Sequence, residues 1–285
     1  MNKINKYYSY SQINTFLNCP KKYKLIYIDK ILIKKESIEG FIGKVVHEVL
    51  EWIYKEKSSF LIWDKIENKY FEFWIKRWHS EIFYFNKKML FDKNKKNYKS
   101  FNQKHFKKIG LEYLRNYYRA NGGPNLNFDS VIGVESTLYT KINGYTFKVI
   151  IDRIDKTNDG IHIYDYKTGK PKSKTILNND IQLPIYQIAL EQKYPKQKIY
   201  LNWHFLKEKD KEKYHIRISK DKNEIDKIKL KITNTINEIK KNKATQDNQL
   251  QFSAKTSFLC NWCYLWEYCD AKTEYNEKNN SLNVE

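Results

Sequence analysis

The chain has 285 residues, 41% hydrophobic and 30% charged, with a formal net charge of +20. That length suits one large domain or two modest ones with a packed core, and no apolar run is long enough to span a membrane. The opening "MNKINKYYSYSQINTF" lacks the apolar stretch of a signal peptide, so a soluble, cytoplasmic protein with no membrane partner is expected. The charge favours a polyanionic partner. It is discounted because the sequence is heavy in Lys, Asn, Ile and Tyr and poor in Arg, which is the mark of a biased coding composition.

In chain order, "YSYSQINTFLNCP" reads as a short helix that Ser9 or Ser11 could cap and Pro20 stops just after Cys19. "KLIYIDKI" is apolar and leaves helix and strand open. "GKVVHEVLEWIYKE" is a helix with Val45, Val46, Val49, Leu50 and Ile53 in one stripe. His47 lies off that stripe, in line with Gly43 and Glu51. From about Ser58 to Ala120 the chain is helical, lysine-rich and aromatic. Trp63, Tyr70, Phe71, Phe73, Trp74 and Trp78 read as core between helices, in preference to a stacking surface for single-stranded bases. "NGGPN" breaks the pattern at 121–125.

Strands follow: "VIGVESTLYT", "YTFKVIIDRID" and "GIHIYDYKT", with Asn143–Gly144 as a hairpin turn. "DIQLPIYQIALEQKY" is a helix that tolerates Pro184 in its first turn. "KIYLNWHFLK" and "KYHIRIS" are further strands, and an amphipathic helix carries Ile225, Ile228, Ile232, Ile236 and Ile239 on one face. The expected division is N-terminal helices (1–57), a helical insert (58–124), an α+β core (125–250), a cysteine segment (251–270) and a polar tail without order (271–285).

"IDRIDKTNDGIHIYDYKTGK" (151–170) sets charges inside apparent strands. A symmetric turn at Thr157–Gly160 pairs Lys156 with Ile161, Arg153 with Tyr164 and Asp152 with Asp165. Like charges directly opposite destabilise a ladder. Lys167, two residues after Asp165, projects from the same face. A divalent cation between the carboxylates would remove the repulsion, and hard cations such as Mg²⁺ take carboxylate oxygens. A solvated sheet face, or a register offset by one, is the plainer alternative.

Cys19, Cys260, Cys263 and Cys269 are the only cysteines, and the last three form a C-x2-C-x5-C run. In an intracellular protein such a set reads as a metal or cluster site rather than disulfides. Spacing alone leaves zinc and an iron–sulfur cluster both open.

Together, "SYSQINTFLNCPKKY", "GKVVHE", "IIDRID", "DYKTG", "QLPIY" and the cysteine triplet resemble, in order and spacing, a RecB-type nuclease of the PD-(D/E)XK superfamily. The resemblance implies an α+β fold (an α/β sandwich) with a restriction-endonuclease-like core, a mixed sheet flanked by helices and a four-cysteine clasp. It implies a Mg²⁺- or Mn²⁺-dependent deoxyribonuclease, expected to be an exonuclease acting in DNA repair, recombination or related processing. Asp152 resembles the first metal-binding acid, Asp165 and Lys167 the acid–x–Lys pair, His47 the histidine of the metal shell and Glu135 a further site carboxylate. Gln182 and Tyr186 resemble the family's Q-x3-Y pair. The cysteines resemble the clasp of iron–sulfur members, which include the AddB helicase–nuclease subunit and CRISPR-associated nucleases, and so imply a [4Fe-4S] cluster. By analogy with a disulfide closing a loop of more than about 100 residues, that clasp would contribute on the order of 5 kcal/mol. Implied partners are DNA, single-stranded or with free ends, and a helicase or other recombination or CRISPR protein. The alternative is a catalytically inactive nucleic-acid-binding module with a structural iron–sulfur or zinc site.

Overall fold

A computed structural model of the chain describes residues 7–57, 60–84, 103–245, 251–272, 274 and 275. Part of the expected insert (85–102) and most of the expected polar tail (276–285) lie outside the described residues. The elements are α1 (Tyr10–Asn18), α2 (Pro20–Tyr23), β1 (Glu36–Ser37), α3 (Ile38–Glu56), α4 (Trp63–Arg77), β2 (Ile82–Phe83) and α5 (Gln103–Ala120). Then come β3 (Val131–Ile142), β4 (Tyr145–Thr157), β5 (Gly160–Lys167), α6 (Lys174–Asn178), α7 (Gln182–Lys193), β6 (Ile199–Phe205), α8 (Lys211–Tyr214), β7 (His215–Ile218) and α9 (Lys222–Ala244). They form two compact units that interleave in sequence. One takes Met1–Tyr10, Glu39–His79 and Asn102–Leu230, the other Ser11–Ile38, Ser80–Phe101 and Lys231–Glu285.

The first unit is built on the sheet β3-β4-β5-β6-β7, mixed as expected: β5 and β6 are parallel and the other pairs antiparallel. Asn143 (φ 46°) and Gly144 (φ 84°) close the first hairpin with both central residues left-handed, the conformation that two-residue hairpin loops demand. At Gly160 a Cβ would stand 2.3 Å from the Lys198 carbonyl oxygen, so only glycine lets β5 start there. The β4–β5 register runs from Thr157–Gly160 through Asp155–His162 to Arg153–Tyr164, as the sequence predicts, and the ladder ends there. β5 and β6 are mostly buried, which fits their central position.

Strand alternation gives the sheet two chemistries. On one face Arg153 lies over the rings of Tyr164 and of Tyr54 from α3, and Tyr117 of α5 meets Arg153, Tyr166 and His204. On the other α7 packs across β3 to β6. The α3 stripe predicted from periodicity is buried throughout. In the insert, Tyr70 and Trp74 are buried core, and Gly110 of α5 lies so close to Tyr70 that a Cβ would meet its hydroxyl at 2.1 Å.

The second unit has an aromatic core in which Tyr23 stacks on Phe252 (centroids 6.2 Å apart) and Phe16 meets both edge-on. Cys19 holds the extended backbone between α1 and α2, where Pro20 at the start of α2 needs no amide partner.

Candidate active site

The site lies in the first unit, where the β4–β5 ladder ends. Beyond Arg153–Tyr164 the Asp152 carboxylate takes over a backbone role and accepts the Tyr166 amide at 2.8 Å. α3 delivers His47: its Nε2 lies 2.9 Å from the Tyr166 carbonyl oxygen and its Nδ1 is 3.5 Å from Asp152 Oδ2. The carbonyl requires Nε2 to donate, so in the neutral ring Nδ1 offers its lone pair toward Asp152. Gly43, one turn earlier, lets α3 come close to the end of β5, since a Cβ there would lie 3.3 Å from Thr168 Oγ1.

Glu135 completes the group from β3. It stands between Val134, paired with Arg153, and Ser136, paired with Ile151, and so lies opposite Asp152 without joining the ladder. Its φ is 44°, a left-handed backbone inside a strand that costs on the order of 1–3 kcal/mol for a residue with a side chain. Ligand atoms of His47, Glu135 and Asp152 all lie within 4.8 Å of one another. Among the described residues this is the one set of three or more His, Cys, Asp or Glu that converges so tightly.

Beside it runs a second chain of contacts. Lys167 Nζ is 2.7 Å from Asp165 Oδ2 and donates to Gln182 Oε1 at 2.8 Å. Gln182 Nε2 donates to Asp165 Oδ1 at 2.9 Å and lies 3.0 Å from the Tyr186 hydroxyl oxygen. The expected i, i+4 pairing of Gln182 and Tyr186 is therefore a physical contact. Asp165 does not join the tight group, because both its oxygens are held by Lys167 and Gln182.

The electrostatics record crowding. Burial lifts the Glu135 carboxyl to about 7, with Asp152 adding to the rise. Burial also lifts Asp165 to about 6 against the pull of Lys167. Burial works against a charged His47, but the Asp152 carboxylate outweighs it and raises the imidazole to about 9. Asp152 itself is resisted by burial yet held below its ordinary value by His47 and the Tyr166 amide. The donor set of two carboxylates and one imidazole fits a hard or borderline divalent cation, whose charge would relieve the Asp152–Glu135 repulsion.

Three contributors were not assigned to the site from the sequence. Glu51 and Lys55 flank Glu135 and bias its charge from α3, and Tyr10 lies near enough to Asp165 and Asp180 for both to raise its hydroxyl pKa, after burial. Glu51 falls one helical turn after His47, which was a usable signal; Tyr10 had none.

In the second unit the four cysteines line one cavity of about 40 Å³ with Leu25, Leu265 and Trp266. The Ser257 amide donates to Cys260 Sγ at 3.4 Å, and backbone amides of Leu265 and Ala271 serve Cys263 and Cys269. No three of these sulfurs lie mutually within 4.8 Å. One tetrahedral zinc, with Zn–S about 2.3 Å, needs sulfurs about 3.8 Å apart.

A sequence model of the PD-(D/E)XK nuclease superfamily matches residues 7–270, a stretch that holds both the acidic site and all four cysteines. The chain belongs to that superfamily: it is a nuclease by family, with nucleic acid as its substrate. It is similar to the Gene 69 protein of Mycobacterium phage D29, at 24% identity over 202 residues, 65% of this chain and 69% of that protein. It is also similar to a crystal structure of a "Putative exonuclease" from Eubacterium rectale, at 13% identity and a TM-score of 0.49, over 94% of this chain and 88% of that one.

Proposed function

We propose that the protein is a divalent-metal-dependent deoxyribonuclease acting as an exonuclease in DNA repair or recombination. The observation that carries this reading is the convergence of His47, Glu135 and Asp152 within 4.8 Å beside the Lys167–Asp165 pair. These three side chains would hold Mg²⁺ or Mn²⁺, with Asp165 as the further acid expected from the sequence. Bound there, the cation supplies Lewis acidity at the scissile phosphate and eases ionisation of the attacking water.

The chain's own groups do the rest. Lys167 stays charged at neutral pH, since burial, which disfavours its ammonium, is outweighed by Asp165. Its ammonium orients the water and offsets the charge that builds on the pentacovalent phosphorus. Gln182 holds Lys167 and Asp165 in one geometry. Tyr186, whose hydroxyl burial and Asp165 keep protonated, fixes Gln182 in turn.

Four cysteines lining one cavity, with backbone amides aimed at three of the sulfurs, support a thiolate-held metal centre, and the sequence resemblance to iron–sulfur members favours a cluster over a single zinc. We assign it a [4Fe-4S] cluster held by Cys19, Cys260, Cys263 and Cys269, structural in role. Iron and acid-labile sulfide in anaerobically purified protein, with visible charge-transfer absorption, are expected; stoichiometric zinc without iron would overturn it.

The test of the nuclease reading is cleavage of end-labelled single- and double-stranded DNA with Mg²⁺, Mn²⁺ or EDTA, beside Asp165→Ala and Lys167→Ala. Metal-dependent cleavage lost in both variants is expected. Retained cleavage in pure Lys167→Ala refutes its role. DNA binding without cleavage in the wild type returns the reading to a binding module.

A further inference from the structure

We propose that the groove between α4 and α5 is a second nucleic-acid site, which grips the sugar–phosphate backbone of a strand away from the scissile bond. The proposal rests on the nuclease reading for its choice of polyanion. The groove has a volume of about 580 Å³ and is lined by Lys104, Lys107, Lys108, Arg115, Arg119 and Lys209, against only Glu67 and Glu112.

Its charge is not the background of a lysine-rich chain. The coding bias that inflates lysine leaves only five arginines, and two of them, Arg115 and Arg119, line this groove. On α5 the cations recur at 104, 108, 115 and 119, which keeps them on one helical face. At 1.5 Å per residue that face runs about 22 Å, long enough to follow several phosphates. Lys104, Lys108 and Arg119 are exposed and have no carboxylate partner among the described residues.

The groove is also built. Arg115 lies 4.7 Å over the Trp63 ring and Lys107 is 5.8 Å from the Trp74 ring centre, so aromatic faces hold two of the cations in place. Phe71 and Leu111 add apolar surface that suits sugars or base faces. α5 is anchored beneath the groove: Asn116, which also lines it, donates to the Leu206 carbonyl at 3.0 Å, and on the inner face the Tyr117 hydroxyl accepts from Arg153 at 2.8 Å. Arg153 directly follows Asp152. A strand held on the outer face of α5 is therefore gripped by the helix whose inner face packs beneath the acidic site.

The test compares wild type with Lys108→Gln/Arg119→Gln and with a charge-matched control, Lys222→Gln/Lys227→Gln. Binding of a 5′-fluorescein oligothymidylate is followed by anisotropy in EDTA across a salt series. Hydrolysis of thymidine 5′-(p-nitrophenyl phosphate), which carries a single phosphodiester and no further backbone phosphate for the groove to grip, is followed with Mn²⁺. The groove variant should bind on the order of tenfold more weakly, with a salt slope shallower by about 1.4 for two lost contacts, while the control loses far less. Hydrolysis of the small ester should match wild type. Unchanged oligonucleotide binding, or an equal loss in the control, overturns the groove. Absent ester hydrolysis and absent DNA cleavage in every protein, with the selective binding loss intact, remove the proposed metal-dependent cleavage and leave the groove standing.

Discussion

Asp152 accepts the Tyr166 backbone amide at 2.8 Å, at the point where the β4–β5 ladder ends. One carboxylate thus caps a strand pair and faces His47 and Glu135. The two duties separate by substitution. Asp152→Asn keeps an oxygen for the Tyr166 amide and loses the charge. Mn²⁺ binding by calorimetry should vanish and DNA cleavage fall at least about 100-fold, while far-UV circular dichroism stays that of wild type. Unaltered Mn²⁺ affinity would remove Asp152 from the metal set.

Gln182 is no member of the converging His47–Glu135–Asp152 group, yet it holds both Lys167 and Asp165. Gln182→Ala should lower kcat about 10- to 100-fold, the usual effect of losing a group that orients a reacting one. Mn²⁺ affinity should change little. Gln182→Glu sets a second carboxylate beside the buried Asp165 and should do no better, whereas a full loss of metal binding in Gln182→Ala would place Gln182 elsewhere in the mechanism.

Glu135 carries two local costs, a left-handed backbone and a carboxyl raised to about 7 by burial and Asp152. A raised acid gives its full stability below its unfolded value of about 4.3 and loses it as pH climbs toward 7. Glu135→Gly removes both costs. In EDTA at pH 8 its urea midpoint should equal or exceed that of wild type, while Mn²⁺ affinity drops on the order of tenfold or more. A lower midpoint would sink the strain argument.

His204 is buried among Tyr117, Tyr164, Tyr166 and Tyr214, and burial, with Arg153 and His215 adding, pushes its pKa well below the ordinary value. The unfolded chain takes up a proton near pH 6.5 that the folded chain refuses. Stability is therefore full above that pH and falls as pH drops, with a slope approaching about 1.4 kcal/mol per unit. Urea midpoints between pH 7.5 and 5 should decline less steeply in His204→Gln than in wild type; parallel curves would exclude His204 as a source.

The local signals in the sequence proved strong where one short segment decides the outcome. Asn143–Gly144 dictates its turn, Gly160 its hairpin start, and the Val45–Ile53 stripe its buried face, because turn backbone and helical period are properties of neighbouring residues. The β4–β5 register followed from the symmetry of a short loop, and with it the shared face of Asp165 and Lys167. Asp152 and Asp165 did not meet as a simple opposed pair. The strands part after Arg153–Tyr164, and Asp165 is taken by Lys167 and Gln182, a partner from another element.

The sequence by itself determined the strand order of residue types, the helix faces and the superfamily, because each depends on composition and spacing along one stretch. Only tertiary structure decided which carboxylates converge. Glu135 reaches Asp152 through a left-handed backbone that no strand propensity foretells, and His47 reaches both from α3, an element more than 80 residues away in sequence from either carboxylate. The interleaving of the two units was equally hidden, since which distant segments share a core depends on how faces fit in space, and spacing along the chain carries no record of that.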